Sequence, residues 1–251
     1  MPDFRVFCAP PTTDPSLITL SPEESHHLII VNRARLGAPV VAFDGRGTEW
    51  QTQLSVDRKN AAVLSVLSHR TVPPLPYAIT LGQALPKGSA MDSIVRKATE
   101  IGVARLVPLE SERTQVHLAG DRSDRKAGKW HLAALEAAKQ CGNAFLPEVL
   151  PLQDAATFMR QRHGYDLKLI ASLHSGATSL KPVLANFRQT HGSAPKNVLW
   201  LIGPEGDFSP AEMSLALETG FKPISLGPLV LRSETAAVYA LSIVSYELQT
   251  G

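Results

Sequence analysis

The chain is predicted to be an α/β protein in two parts, a small β-rich unit followed by a larger one built on a mainly parallel sheet. Three observations predict this. Residues 40–67 carry short apolar runs separated by Asp44-Gly45 and Gly47, the pattern of a hairpin with a third strand. Beyond residue 77, apolar runs alternate with helix-period segments, as in units that pair strands in parallel under covering helices. Between them lies Thr71-Val72-Pro73-Pro74-Leu75-Pro76, whose prolines suit neither a helix nor a central strand, so the boundary falls between residues 1–72 and 73–251.

In the first part, strands are expected at 40–43, 48–56 and 61–67, with one short helix at 26–34 carrying Leu28, Ile29 and Val31. A small barrel of about 70 residues follows from these elements. In the second part, a strand at 78–81 precedes a helix at 89–101, which aligns Met91, Ile94, Val95, Ala98 and Ile101 on one stripe. Ser89 with Asp92 resembles a capping box, and Gly102 ends the helix. Strands are expected at 105–109, 167–173, 198–202 and 223–226, and helices at 132–138, 152–161 and 234–248. Ser209-Pro210-Ala211-Glu212 is a strong helix start, with a serine cap, proline at the first position and a glutamate reaching back.

The chain has 251 residues, 44% of them hydrophobic, enough to bury a substantial core. Lys and Arg exceed Asp and Glu by 25 − 23 = 2, so a nucleic-acid partner has to be held by a local patch. The second part carries that excess, with 18 basic against 16 acidic residues, while the first balances 7 against 7. Cys8 and Cys141 are too few for a disulfide framework or a zinc site and suit a reducing compartment, so a cytoplasmic protein is expected. The N-terminus lacks a secretory pattern, and no run approaches the roughly 18 apolar residues of a membrane span.

Several chemistries lose their usual signatures, because G-x-x-x-x-G-K-[ST], G-x-G-x-x-G, H-E-x-x-H and G-x-S-x-G are all missing. His26-His27 would point about 100° apart on a helix and so not share a ligand face. No metal is expected. Two loops stand out instead. A strand at 197–202 runs into Gly203-Pro204-Glu205-Gly206-Asp207, where α/β proteins place ligands at carboxyl strand ends. The strand at 223–226 ends at Gly227-Pro228 and leads through Leu229-Val230-Leu231 to Arg232-Ser233-Glu234 at the start of the last helix. Together the loops could line one pocket walled by Leu226, Val230 and Leu231. Packing an arginine and a glutamate among apolar residues is costly, which leaves a structural Arg232 to Glu234 ion pair or a chemical task.

L-I-G-P-E-G-D-F-S-P-A-E at 201–212, with S-L-G-P-L-V-L-R-S-E-T-A-A at 225–237, closely resembles the RsmE family of ribosomal RNA methyltransferases, of the SPOUT superfamily. R-K-A-T-E-I-G-V at 96–103, P-L-E-S-E-R-T at 108–114 and E-A-A-K-Q-C-G at 136–142 match in order, as do Arg5-Val6-Phe7, His27 and Phe43-Asp44-Gly45. The resemblance implies a PUA-like RNA-binding barrel, a SPOUT domain with a C-terminal trefoil knot, and a homodimer. It implies that S-adenosylmethionine methylates N3 of a uridine in 16S rRNA within the small ribosomal subunit.

On matching positions, the resemblance places the cofactor against Leu173, Ile202, Gly203, Glu205, Gly206, Leu226, Gly227 and Leu231. Arg232 becomes the group that stabilises the uridinate, and Glu234 or Glu205 orients Arg232 or takes the proton. Arg5 and Arg33 are expected RNA contacts. Arg122, Arg125, Lys126 and Lys129, with Arg113 and His117 upstream, form either a phosphate track or a solvated charged face. Asp207, Leu229 and Asn143 depart from the family's glycine and two arginines. Those departures motivate a second reading, an RNA-binding or assembly protein on the same scaffold that no longer methylates. A hydrolase using Glu205 or Asp207 as base would need a nucleophile or metal that the sequence does not offer.

Overall fold

The computed structural model describes residues 4–11, 14–116, 121–161, 164–174 and 176–250. His117 and the side chain of Arg122 lie outside the described residues. Contacts divide the chain into two units, the first made of Met1–Pro74 with Leu135–Leu146, the second of the remainder.

The first unit holds a five-stranded mixed sheet. Strands β1 (Arg5–Phe7), β2 (Leu17–Thr19), β3 (Pro39–Phe43), β4 (Thr48–Val56) and β5 (Val63–Thr71) lie in the order β1-β3-β4-β5-β2, with β1 parallel to β3 and the other neighbours antiparallel. The expected hairpin is present. Asp44 Oδ1 accepts the N–H groups of Arg46 at 2.8 Å and Thr48 at 2.9 Å, while Gly45 at φ 70° supplies the left-handed turn residue. Strand β5 starts two residues later than the apolar run suggests and continues through the exposed Ser68-His69-Arg70-Thr71, because residues 48–51 of β4 pair with it there. Trp50, Thr52 and Leu54 alternate inward and bury against Val6, Ile18, Leu28, Val40 and Leu64.

The helix expected at 26–34 begins earlier, as α1 (Pro22–His26), because Ser21 Oγ accepts the Glu24 N–H at 3.2 Å and Pro22 occupies the first position. It continues as one π turn, His27–Val31. Two buried carboxylates cross-link the unit. Glu24 pairs with Lys139 and accepts the Phe7 N–H at 3.2 Å, and the side chains of both Glu24 and Lys139 are 8% exposed. Glu49, 2% exposed, binds Arg5 and, at 2.8 Å, Arg70.

Burial works against the charge on Glu49, but the hydrogen bonds from Arg5 and then Arg70 outweigh it and hold the carboxyl below its usual range. A carboxylate with a lowered folded pKa contributes its full stability above the unfolded value and loses it as pH falls through the folded value. Glu49→Gln is therefore expected to flatten the acid limb of the stability curve below about pH 4.3, the unperturbed Glu value, as read by urea midpoints across pH.

The second unit carries the expected parallel sheet. Strands β6 (Ala78–Ala84), β7 (Arg105–Glu110), β8 (Glu148–Val149), β10 (Leu167–Ala171), β11 (Asn197–Ile202) and β12 (Lys222–Ile224) run in the order β12-β10-β11-β6-β7-β8, with β9 (Gln153–Asp154) also beside β7. Every pairing is parallel. Leu199 and Leu201 of β11 join Phe158 and Met159 of α4 (Ala155–Arg160) and Met213 and Ala216 of α6 (Pro210–Glu218) in one core. Val198, Trp200 and Ile202, facing the other way, are equally buried, and α7 (Ser233–Thr250) packs on β6 and β11. Both faces of the sheet are covered.

Several elements differ from expectation. The Ser89 cap on α2 (Ala90–Ile101) makes no side-chain bond: the Asp92 N–H goes to the Ser89 backbone carbonyl at 3.0 Å, and the Asp92 carboxylate pairs with Lys129. Gly102 ends α2 in the left-handed conformation as expected, at φ 87°. Helix α3 runs Asp121–Cys141, far beyond 132–138, since its polar first turns carry no apolar stripe. Residues 152–154 lie before α4 and contribute β9, with Asp154 as the cap. Helix α5 (Leu180–His191) was not expected; it tolerates Pro182 within its first turn. The capping box at Ser209 and Glu212 is complete.

Candidate active site

Strands β12, β10 and β11 are neighbours with their carboxyl ends on one side, so the loops that follow them meet. Between those loops lies a crevice of about 560 Å³, counting its open mouth. Ser172 and Leu173 come from the β10 loop, Ile202 to Glu205 with Asp207 from the β11 loop, and Leu226, Gly227 and Leu229 to Leu231 from the β12 loop. The first turn of α7 closes it with Ser233 and Ala236.

Leu173, Ile202, Gly203, Glu205, Leu226, Gly227 and Leu231 thus converge on one cavity, as the sequence suggests. Gly206 does not line it; its carbonyl accepts Arg113 Nη1 at 2.6 Å. Arg232 and Glu234 are also off the lining. Arg232 is exposed, so the burial cost inferred from its apolar neighbours does not arise, and among the described residues it forms no ion pair with Glu234. Its backbone carbonyl accepts the Ala236 N–H at 2.8 Å, fixing it at the mouth of α7. Glu205 Oε1 accepts the Lys87 N–H at 2.9 Å.

The turn at 203–207 explains Asp207. Its φ is 60°, in the left-handed region that glycine tolerates best and aspartate better than most, and its Oδ1 accepts the Phe208 N–H at 2.8 Å. A Cβ on Gly203 would come within 3.1 Å of that Asp207 oxygen and 3.2 Å of the Phe208 nitrogen. The chain thus keeps the tight turn without a further glycine after Gly206.

Ser233 is one lining residue that sequence reasoning missed, with Ala171, Ser172 and Ala236. Its Oγ donates to the Gly203 carbonyl at 2.9 Å and accepts from Gln83 Nε2 at 3.0 Å, tying the β11 loop, α7 and the end of β6 together inside the protein. Ser233 is 4% exposed and Gln83 is fully buried. Ser233→Ala would leave the Gly203 carbonyl and one Gln83 N–H short of a partner. An unfolding free energy about 2 kcal/mol lower is expected by denaturant titration.

The RNA candidates divide between the two units. In the first unit, Arg5 donates to Glu49 and to the Asn143 carbonyl and lies 4.5 Å over the Phe43 ring, so its guanidinium is committed internally. Arg33 is exposed at φ 56° after the π turn. In the second unit Arg125 is exposed and Lys126 half-buried on α3, while Lys129 is paired with Asp92. Among the described residues no cluster of three His, Cys, Asp or Glu side chains could hold a metal ion, and no helix is long and apolar enough to cross a membrane.

A family model described as an RNA methyltransferase domain matches residues 73–245, and one described as an RNA methyltransferase PUA domain matches residues 20–67. The ribosomal RNA small subunit methyltransferase E of Synechocystis sp. is 32% identical over 251 residues, covering 98% of this chain and 78% of that protein. The chain belongs to this RsmE family of RNA methyltransferases. The RsmE protein of Bacillus subtilis is 29% identical over 92% of this chain and 90% of its own. Among solved structures, a putative methyltransferase of Legionella pneumophila in complex with S-adenosylmethionine superposes with a TM-score of 0.87 at 31% identity, covering 97% of both chains. The RsmE of Neisseria gonorrhoeae bound to S-adenosylmethionine gives 0.84 at 27%, also over 97% of both.

Proposed function

We propose that this RsmE-family chain transfers the methyl group of S-adenosylmethionine to N3 of a uridine in 16S rRNA, with the methyl donor held in the three-loop crevice. The observation that carries this reading is the crevice itself, at the carboxyl ends of three adjacent parallel strands. Its residues fit the donor. Leu173, Ile202, Leu226 and Leu231 give apolar walls for adenine, and Gly227 lines the space at φ 113°, where an added Cβ would meet nothing within 4 Å.

Bound there, S-adenosylmethionine supplies an electrophilic methyl group. The chain must then free uracil N3 of its proton and stabilise the negative charge that spreads to O2 and O4. Arg232, exposed at the start of α7, offers a permanently charged donor fork for those oxygens. Glu205 and Glu234 are the carboxylates for orienting that guanidinium or accepting the N3 proton. Arg125 and Lys126 supply phosphate contacts along α3.

The finer architecture belongs to the same reading. The first unit's five-stranded sheet is taken as a PUA-like barrel, and the segments around the crevice as a trefoil knot, one of the rare exceptions to unthreaded connections. The protein acts as a cytoplasmic homodimer. Support comes from Leu173, Leu229 and Val230, which are 64%, 74% and 78% exposed beside the crevice and suit cover by a second subunit. The test is mass spectrometry of 16S rRNA nucleosides after incubation of small subunits with the protein and labelled S-adenosylmethionine. One labelled N3-methyluridine is expected. Labelling of another base would overturn the uridine-N3 assignment, and no labelling by a protein that binds the donor would favour the non-methylating scaffold.

A further inference from the structure

Arg113 stands in the P-L-E-S-E-R-T segment, where the sequence offers it as an RNA contact. Its surroundings indicate a different task. Residues 111–114 form a tightly bonded turn: the Ser111 N–H donates to Thr114 Oγ1 at 3.0 Å, the two hydroxyls lie 2.9 Å apart, and the Thr114 N–H returns to the Ser111 carbonyl at 3.0 Å. Ser111 and Thr114 are buried at 4% and 3% exposure. The next N–H, of Glu112, donates at 2.9 Å to Glu212 Oε1, while the other oxygen of Glu212 caps Ser209 at 2.8 Å. The turn is thereby keyed to the start of α6, immediately after the Gly-Pro-Glu-Gly loop. From this platform Arg113 Nη1 reaches the Gly206 carbonyl at 2.6 Å.

We infer that Arg113 is a positioning residue for the methyl-donor loop: its guanidinium holds the Gly206 carbonyl and so sets the conformation of residues 203–207 before any RNA arrives. The inference rests on the reading of the crevice as the donor site and deepens it, adding a residue that touches neither the crevice lining nor the reacting atoms. A carbonyl held by a charged donor is fixed more firmly than one left to water, and preorganised loops bind ligands without having to order them first. The adjoining bond from the Lys87 N–H to Glu205 holds the same loop from another side, so loss of Arg113 loosens the loop without releasing it.

The experiment compares Arg113→Ala and Arg113→Lys with the natural protein in two measurements. Calorimetry with S-adenosylmethionine alone is expected to show about tenfold weaker binding for Arg113→Ala and recovery to within about threefold for Arg113→Lys, whose ammonium can still donate to a carbonyl. Binding of an rRNA fragment is expected to keep its affinity and its salt dependence, since a lost phosphate contact would lower the salt slope by about one. Amide hydrogen exchange without ligand is expected to quicken at residues 205–208 in Arg113→Ala and nowhere in the first unit. Unchanged donor affinity overturns the inference, whatever happens to RNA binding. Should the natural protein bind no donor, the proposed function fails and the exchange data decide the loop's role alone: faster exchange sustains it, and unchanged exchange overturns it.

Discussion

Arg232→Ala is expected to lower the rate of methyl transfer about 10²–10³-fold while donor affinity and melting temperature stay near those of the natural protein. The magnitude is that of removing one preorganised donor to a developing anion. The separation of effects follows from position. Arg232 is exposed, lies off the crevice lining and forms no ion pair among the described residues, so its truncation leaves neither a cavity nor an abandoned partner. Arg232→Lys keeps the charge but not the planar fork and should recover only part of the rate. Single-turnover kinetics with saturating donor make the measurement. An alanine variant that methylates normally would remove Arg232 from the chemistry and leave the uridinate to another cation.

The second large effect is on stability. Lys139→Ala is expected to cost about 3–5 kcal/mol, because it strands the Glu24 carboxylate in a buried site. That is a large fraction of the roughly 5–15 kcal/mol by which domains are stable. Both partners are 8% exposed, so water does little to soften the loss. Glu24 also accepts the Phe7 N–H, and its displacement would loosen β1 at the edge of the first sheet. Adding Glu24→Gln to the Lys139 variant should restore part of the loss, since the uncompensated charge is then gone. Urea unfolding followed by tryptophan fluorescence, to which Trp50 in the first unit's core contributes, reads both variants. A loss below about 1 kcal/mol for Lys139→Ala would show that the pair behaves as a solvated surface bridge.

The parts of the fold legible in the sequence were those written in local chemistry. The Asp44-Gly45 hairpin, the Gly102 stop and the Ser209 box each depend on residues within a few positions of one another, and each stands in the structure. The Gly-Pro-Glu-Gly loop was legible for the same reason. Strands β1 and β2 were not, since three residues are too few to show a period and their pairing is decided by β3 and β5. The π turn at His27–Val31 has no recognised residue code, and the polar first half of α3 lacks an apolar stripe.

Within the site, the seven lining residues were reached through their motifs, but the bonds that hold them were hidden by distance along the chain. Ser233 finds Gly203 across 30 residues and Gln83 across 150, and Arg113 finds Gly206 across 93. A serine beside an arginine and glutamate attracts no notice, and an arginine just upstream of a basic cluster is read as a phosphate contact. The opposite error occurs at Arg5, whose charge looks available in the sequence yet is consumed by Glu49 and the Phe43 ring.

A crystal structure grown with S-adenosylmethionine is the most direct trial of the crevice. Adenine should lie between Ile202, Leu226 and Leu231, with the methionine end near Gly203 and the sulfonium methyl turned toward the start of α7. Density for the donor elsewhere in the chain, or a bound structure in which the β10, β11 and β12 loops separate and leave it uncontacted, would contradict the assignment.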